Sequence, residues 1–169
     1  GSSICLEPDP PTLSPLRVPP GTLPSTEAHW VVRASAMSQS RSSSTSTSKS
    51  FKVEKSEAAW KAQLGSQKYR ILRQAGTERP GSHEYDKMIP KDGIFKCAGC
   101  DYPLYTANSK FKSTCGWPCF DQVIYSKEGG CHVGVQPDHA GLEIICNNCG
   151  GHLGHVFYGE GCTPNNERH

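Results

Sequence analysis

The stretch CNNCGGHLGHVF, residues 146–157, joins two cysteines at metal-ligand spacing to two histidines three positions apart. A second stretch, CAGC at residues 97–100, repeats the cysteine spacing. In such a turn both thiolates can face one ion while backbone N–H groups point at the sulfurs, and four thiolates in a tetrahedron suit zinc in a closed structural site. The sequence therefore predicts one structural zinc ion held by Cys97, Cys100, Cys146 and Cys149.

Two other interpretations of the paired cysteines stay open. A redox C-x-x-C of the thioredoxin kind needs a strand that leads into a helix, with the first cysteine at the helix N-terminus. Here CAGC is followed after two residues by Pro103, which opposes a helix. The cysteines could also be unrelated. The repeated spacing favours zinc, which would clamp two hairpins that lie far apart in sequence and lower the cost of closing the loop between them.

Composition narrows the class of protein. The chain has 169 residues, enough for one domain with a modest core and a tail. Its nine cysteines are an odd number and no secretory signal precedes them, which favours metal ligands and reactive thiols in a reducing compartment over a disulfide scaffold. A net charge of +2 gives no support for binding nucleic acid or a membrane surface. No apolar run is long enough to span a bilayer.

Residues 1–54 differ in composition from the remainder. A proline-rich run, 8–24, is followed by a run of Ser and Thr at 38–50, and neither offers enough apolar surface to offset the entropy of ordering. We expect a disordered tail. The segment from Ala28 to Val53 is also basic and free of Asp and Glu, which is typical of an organelle transit peptide. The expected location is the cytoplasm, or a plastid or mitochondrion if this segment is a transit peptide.

The remainder of the chain, residues 55–169, is predicted to be one mainly β domain. Two short N-terminal helices are expected, KSEAAWKAQL at 55–64 with Ser56 as N-cap, and QKYRILRQ at 67–74. From residue 93 onward, short strand-like runs alternate with Gly, Pro, Asn and Asp, which predicts antiparallel sheets. The fold class is therefore antiparallel β with two short helices and a four-cysteine zinc site.

A reactive thiol is suggested by KFKSTCGWPCF, residues 110–120. Gly116 and Pro118 fix a tight turn that would expose Cys115 and hold the indole of Trp117 nearby. In the alternative interpretation Trp117 belongs to the core and Cys115 is a small buried hydrophobe. The paired imidazoles of His152 and His155 favour a chemical site, although the HxxH spacing alone could also belong to a second metal site.

These two segments, in this order and together with the four cysteines, resemble the B-type methionine-R-sulfoxide reductase family. GTERPGSHEY at 76–85 and ERH at 167–169 resemble it as well, so that the likeness covers about residues 55–169. It implies thiol-dependent reduction of methionine-R-sulfoxide, free or in proteins, through a sulfenic acid and a disulfide recycled by thioredoxin or another dithiol. One zinc ion per chain and a monomer are expected.

The resemblance also implies a role for each matching residue. An aromatic pocket of Trp117 and Phe157 would hold the substrate, and His152 and His155 would polarise or protonate the sulfoxide oxygen, which leaves poorly until it is protonated. Cys115 matches the resolving position. Arg168 would favour the thiolate of the attacking cysteine.

The sequence departs from the family pattern at the attacking cysteine. The family places that cysteine in an Arg-x-Cys-x-Asn-Ser segment, and Arg168 and His169 match its first two positions, one residue before the nucleophile. Three interpretations of the missing cysteine stay open. The sequence is a fragment, it is a truncated inactive form, or another thiol such as Cys119 or Cys162 replaces the nucleophile. Cys119 itself stands where the family usually has a small residue. A zinc-stabilised β module that only binds a partner is the alternative to an enzyme, although it has no need of the CGWPCF and HLGHVF segments.

Overall fold

The strands form small antiparallel sheets around a layer of buried aromatic residues. The structure is a computed structural model that describes residues 4–7 and 50–169. The strands are β1 (Ile4–Glu7), β2 (Ile94–Cys97), β3 (Pro103–Thr106), β4 (Lys110–Phe111), β5 (Cys119–Phe120), β6 (Tyr125–Ser126), β7 (Gly130–Cys131), β8 (Val133–Pro137), β9 (Leu142–Cys146), β10 (His152–His155), β11 (Phe157–Tyr158) and β12 (Glu167–Arg168). Within the described residues every strand pairing is antiparallel, in two three-stranded sheets, β1-β2-β3 and β10-β9-β8, and three two-stranded ribbons, β4-β5, β6-β7 and β11-β12. The predicted mainly β, antiparallel class is confirmed.

Helix α1 (Glu57–Gln74) spans both of the predicted helices. The hydroxyl of Ser56 accepts a hydrogen bond from the backbone N–H of Ala59 at 3.3 Å, as expected for an N-cap. The predicted count of two separate helices is not confirmed, since one helical element spans 57–74. Gly65 inside it is non-helical, with φ of +70° and ψ of 173°, so two helical segments meet at a kink between the two predicted helices. Among the described residues no helix combines the length and apolarity needed to cross a membrane.

The first strand lies inside the segment expected to be a tail. Strand β1 pairs with β2, with Ile4 opposite Cys97. The expected tail also included residues 50–54, which the structure places against the domain: the N–H of Val53 donates to the carbonyl of Asn148 at 2.9 Å. Residues 1–3 and 8–49 of the tail and transit-peptide expectation lie outside the described residues.

The core lies between α1 and the sheets. The rings of Phe95 and Tyr105 contact Phe120 at centroid distances of 4.8 and 4.2 Å, and all three side chains are buried. Trp60 and Leu72 bury the apolar face of α1 against the turn at Gly99, where an added Cβ would lie 3.7 Å from both side chains. The helix is therefore packed directly on one of the two cysteine turns.

Candidate functional site

The four predicted metal ligands meet in one cluster. The Sγ atoms of Cys97 and Cys149 lie 3.7 Å apart, as do those of Cys100 and Cys146, and all four lie within 4.8 Å of one another. Tetrahedral zinc with Zn–S bonds of about 2.3 Å places its sulfurs about 3.8 Å apart, so the four thiols have the spacing of a four-thiolate site. The side-chain amide of Asn148 donates to the Cys100 sulfur at 3.3 Å. This cluster could hold one metal ion.

The backbone builds the same turn twice around this cluster. The N–H of Asp101 donates to the Cys97 carbonyl at 2.8 Å, and the N–H of Gly150 donates to the Cys146 carbonyl at the same distance. Asp101 and Gly150 both take positive φ angles, +56° and +70°. The guanidinium of Arg73 donates to the Cys149 carbonyl at 3.0 Å, which ties the second turn to α1. The position of the sulfurs is thus fixed by backbone hydrogen bonds.

A cavity of about 360 Å³ gathers the other predicted site residues. Its volume falls in the range of small-molecule sites. Strand β10, which continues directly from the second cysteine turn, brings both histidines to it. The predicted residues that line the cavity are Cys115, Trp117, His152, His155, Phe157 and Arg168.

The turn that carries Cys115 is held by the loop at 76–82. The indole N–H of Trp117 donates to the carbonyl of Glu78 at 3.0 Å, and the N–H of Gly81 donates to the carbonyl of Gly116 at 2.7 Å. Gly116 has φ of +93°, and a Cβ there would lie 2.8 Å from the ring of Pro80. Two segments that the sequence analysis singled out separately therefore form one wall of the cavity.

Each histidine has an acidic partner that the sequence analysis did not select. Nδ1 of His152 lies 2.6 Å from a carboxylate oxygen of Glu143, and Nε2 of His155 lies 2.8 Å from one of Asp138. An ionised carboxylate only accepts hydrogen bonds, so these ring nitrogens carry the hydrogens and the tautomers are fixed. The hydrogen bond from His155 holds the pKa of Asp138 below its ordinary value.

Glu143 could have been found from the sequence by its place on the strand before the second cysteine turn. It lies on β9 opposite His155 and reaches across to His152. Asp138 lies in the β8–β9 turn and carried no signal of its own, because a turn aspartate is common on any surface.

Arg168 is paired with a carboxylate at the cavity wall. Its Nε and Nη2 atoms donate to the two carboxylate oxygens of Glu160 at 2.6 and 2.9 Å. The guanidinium carbon lies 4.2 Å from the ring centroid of Phe157, the residue opposite it in the β11-β12 ribbon. This pairing raises the pKa of Arg168 and lowers that of Glu160, so both groups stay charged near neutral pH.

The cavity also contains a second thiol. The sulfurs of Cys115 and Cys119 lie 3.3 Å apart, with Cys115 partly exposed and Cys119 almost completely buried. Burial first, and then contact with Cys115, raise the pKa of Cys119 to about 11. Burial also acts to raise the pKa of Cys115, but hydrogen bonds, that with Ser113 foremost, outweigh it and leave the pKa below its ordinary value. Of the two, Cys115 is therefore the one that ionises first.

Comparison with known proteins agrees with this fold and site. The SelR domain matches residues 64–169. Peptide methionine sulfoxide reductase B5 of Arabidopsis thaliana is 49% identical over 118 residues, which span 69% of this chain and 82% of that protein. The chloroplastic peptide methionine sulfoxide reductase B3 of Oryza sativa subsp. japonica is 50% identical over 118 residues, spanning 69% of this chain but only 50% of that protein. An uncharacterized protein of Schizosaccharomyces pombe is 48% identical over 120 residues, 70% of this chain and 86% of that protein.

The fold, the paired cysteine turns and the cavity thus define a SelR domain. The chain belongs to this family of oxidoreductases, the methionine sulfoxide reductases of the B type.

Proposed function

We propose that the protein reduces methionine-R-sulfoxide, free or in proteins, to methionine. The observation that carries this proposal is a cavity in which a thiol, two carboxylate-held imidazoles and two aromatic side chains meet. The names of the relatives support the same reaction. A module that only binds a partner would gain nothing from a thiol with a lowered pKa that shares a cavity with two fixed imidazoles.

The substrate is held by its apolar end and activated at its oxygen. Trp117, fixed by its hydrogen bond to the Glu78 carbonyl, and Phe157 form apolar walls that suit the sulfoxide's methyl group. Nδ1 of His152 is engaged by Glu143, so the proton for the sulfoxide oxygen comes from Nε2 of the imidazolium form, in which both ring nitrogens carry hydrogens. Proton donation by a histidine to a poor leaving oxygen is general acid catalysis, which typically contributes 10²- to 10⁴-fold in rate.

The chemical steps exchange one oxygen atom and two electrons. A thiolate attacks the sulfoxide sulfur, the oxygen receives a proton and passes to the attacking sulfur, and methionine leaves, so that a sulfenic acid remains. Cys115, in the resolving role, then attacks the sulfenic sulfur, and water and a disulfide form. A dithiol reductant such as thioredoxin reduces that disulfide and returns both thiols.

Zinc is the metal that best fits the four-cysteine cluster. The cluster would hold it through Cys97, Cys100, Cys146 and Cys149, at sulfur spacings that already suit tetrahedral bonds. A site closed by four thiolates supplies folding stability and no open position for a substrate. We propose one structural zinc ion per chain and a monomeric protein.

The composition of the N-terminal segment suggests a subcellular location. Two plant relatives are named chloroplastic, and the segment from Ala28 to Val53 has a transit-peptide composition. We propose import into an organelle, with the cytoplasm as the alternative. A fluorescent fusion followed in cells with and without residues 1–54 distinguishes the two.

The substrate proposal is tested with the R and S epimers of methionine sulfoxide and a small dithiol. The family pattern puts the attacking cysteine directly after His169, so the assay uses the 169-residue chain and the same chain continued with that cysteine segment. We expect turnover of the R epimer alone, and only in the continued form. Substantial turnover by the 169-residue chain would instead make one of its own cysteines the nucleophile.

A histidine pair provides the matched control for this assay. His152→Gln removes the proposed acid and is expected to lower turnover about 100-fold or more. His139→Gln changes an exposed histidine outside the cavity lining and is expected to leave turnover unchanged. Equal effects of the two changes, or turnover of both epimers alike, would contradict the proposed function.

A further inference from the structure

Two thiols face each other at the cavity wall, and the proposed reaction uses only one of them. The Sγ atoms of Cys115 and Cys119 are 3.3 Å apart, on either side of the turn formed by residues 116–118. Both sulfurs also lie close to the carbonyl oxygen of Trp117, at 3.5 and 3.4 Å. An S–S bond is about 2.05 Å long, so a disulfide requires the sulfurs to approach by only about 1.2 Å.

Their exposure differs in a way that assigns an order of events. Both cysteines line the cavity, but Cys119 is only 2% exposed, whereas Cys115 is partly exposed. A reagent or a second protein thiol that enters the cavity therefore reaches Cys115 first. Cys119 is more deeply buried and lies within reach of the Cys115 sulfur.

We propose that Cys119 is a second resolving thiol, which displaces whatever sulfur has become bonded to Cys115 and leaves a Cys115–Cys119 disulfide. This proposal rests on the proposed function only for the source of oxidised Cys115, namely the disulfide that ends sulfoxide reduction. This exchange would return the attacking cysteine to its thiol form, ready for another substrate, while the Cys115–Cys119 disulfide remains in the cavity wall until it is reduced.

The exchange balances without a further oxidant. The Cys119 thiolate attacks the Cys115 sulfur, one S–S bond forms, and the bond between Cys115 and its partner breaks, with the electron pair leaving on the partner thiolate. A dithiol reductant then attacks the exposed Cys115 sulfur and takes the disulfide to two thiols, itself becoming oxidised. Two electrons and two protons pass from the reductant to the pair.

The charges around the pair favour this sequence. Burial is the largest cause of the raised pKa of Cys119 and persists in every state; in the reduced protein, Cys115 adds to it through a hydrogen bond and through its negative charge. Once Cys115 is in a disulfide it carries no charge and no thiolate, and both contributions disappear. Arg168 and Ser113 still act to lower the pKa of Cys119, so its thiolate becomes more available when it is needed.

A chromogenic aromatic disulfide tests the proposal on the zinc-loaded 169-residue protein, without any sulfoxide. Trypsin cuts after Lys112 and Lys127, so one peptide, residues 113–127, carries both cysteines and no other. After a few equivalents of reagent and digestion without reduction, we expect this peptide to be lighter by two hydrogens and to carry no aromatic group. In Cys119→Ser, the same peptide should retain the aromatic group on Cys115.

Two further variants keep the test decisive. Cys119→Ala removes the thiol with a small apolar residue that suits the buried position, and should behave as Cys119→Ser. Cys131→Ser removes an exposed thiol outside the cavity lining and should behave as the unchanged protein. A wild-type peptide that retains the aromatic group, or that is recovered with both thiols free, overturns the proposal. Failure of the proposed function would appear in the epimer assay and would leave this result unchanged.

Discussion

Six cysteines lie in two sulfur clusters whose closest contacts are similar in length and whose surroundings differ. In the metal cluster the sulfurs approach to 3.7 Å, and each cysteine pair is enclosed by a turn with its own backbone hydrogen bonds. In the cavity pair the sulfurs approach to 3.3 Å, but they face an open volume with imidazoles across it. Proximity of sulfur atoms is therefore common to both clusters.

The difference shows that surroundings decide what a cysteine cluster does. Four thiols directed at one point can share a metal ion, and such a site contributes folding energy. Two thiols with one exposed member have no means to complete a tetrahedron, but they can exchange bonds with sulfur that enters the cavity. Variants that affect one cluster and spare the other separate the two roles.

The largest effect is expected from Cys146→Ser. Three thiolates bind zinc far less well than four, and metal binding at such a site is folding free energy, so bound zinc should fall from about one per chain to near zero and cooperative thermal unfolding should be lost. Metal analysis and a thermal melt measure both. Cys115→Ser should change neither quantity. Full zinc content and an unshifted melt in Cys146→Ser would remove the distinction between the clusters.

An intermediate effect is expected from Gly150→Ala, in the second cysteine turn. Gly150 has φ of +70°, and a Cβ there would lie 2.5 Å from the ring of Phe51. Gly130→Ala is the control, since its φ of +68° is close to that of Gly150 but nothing lies within 4 Å of its added Cβ. The backbone contribution alone is about 1–2 kcal/mol, and Gly150→Ala should cost more than Gly130→Ala by denaturant unfolding. Adding Phe51→Ala to Gly150→Ala should reduce the difference in unfolding free energy between the two glycine variants. Equal costs of the two glycine substitutions would show that the second cysteine turn shifts to accommodate the added Cβ.

The smallest effect is expected from Glu160→Gln, beside the cavity pair. Arg168 lowers the pKa of Glu160 below its ordinary value of 4.5, so the pair's stabilisation is present above that pH and is lost as the pH falls through the lower, folded-state pKa. The melting temperatures of the two forms should differ slightly and constantly above pH 4.5 and converge in acid. Loss of zinc in acid affects both forms alike, so it cancels in the difference. A difference in melting temperature that widens in acid would contradict the ion pair between Glu160 and Arg168.

Much of the site could be predicted from the sequence because its groups come in short, rigid motifs. The C-x-x-C spacing fixes two sulfurs per turn, and its repetition predicts four in one place, as the structure shows. Four of the six predicted cavity residues lie around one volume for the same reason, since the CGWP turn and strand β10 carry two each. The roles of these residues stay predictions, which the epimer assay addresses.

What the sequence could not predict depends on contacts between distant segments. The carboxylates of Glu143 and Asp138 become partners of the histidines only when β8, β9 and β10 form one sheet. One helical element with a kink at Gly65 stands where two helices were expected, because a glycine can either end a helix or kink it, and the sequence alone does not distinguish the two.

The sequence by itself determined the metal cluster, the antiparallel class and the family, since these follow from spacing and from local patterns of residue type. Only the tertiary structure decided that Cys119 lies 3.3 Å behind Cys115, buried and within reach of it, rather than filling a gap in the core. The physical reason is that side-chain spacing within a turn of Gly, Trp and Pro depends on what packs against it, here the loop at 76–82. Identity along the chain sets which groups are available, and packing sets which of them can react.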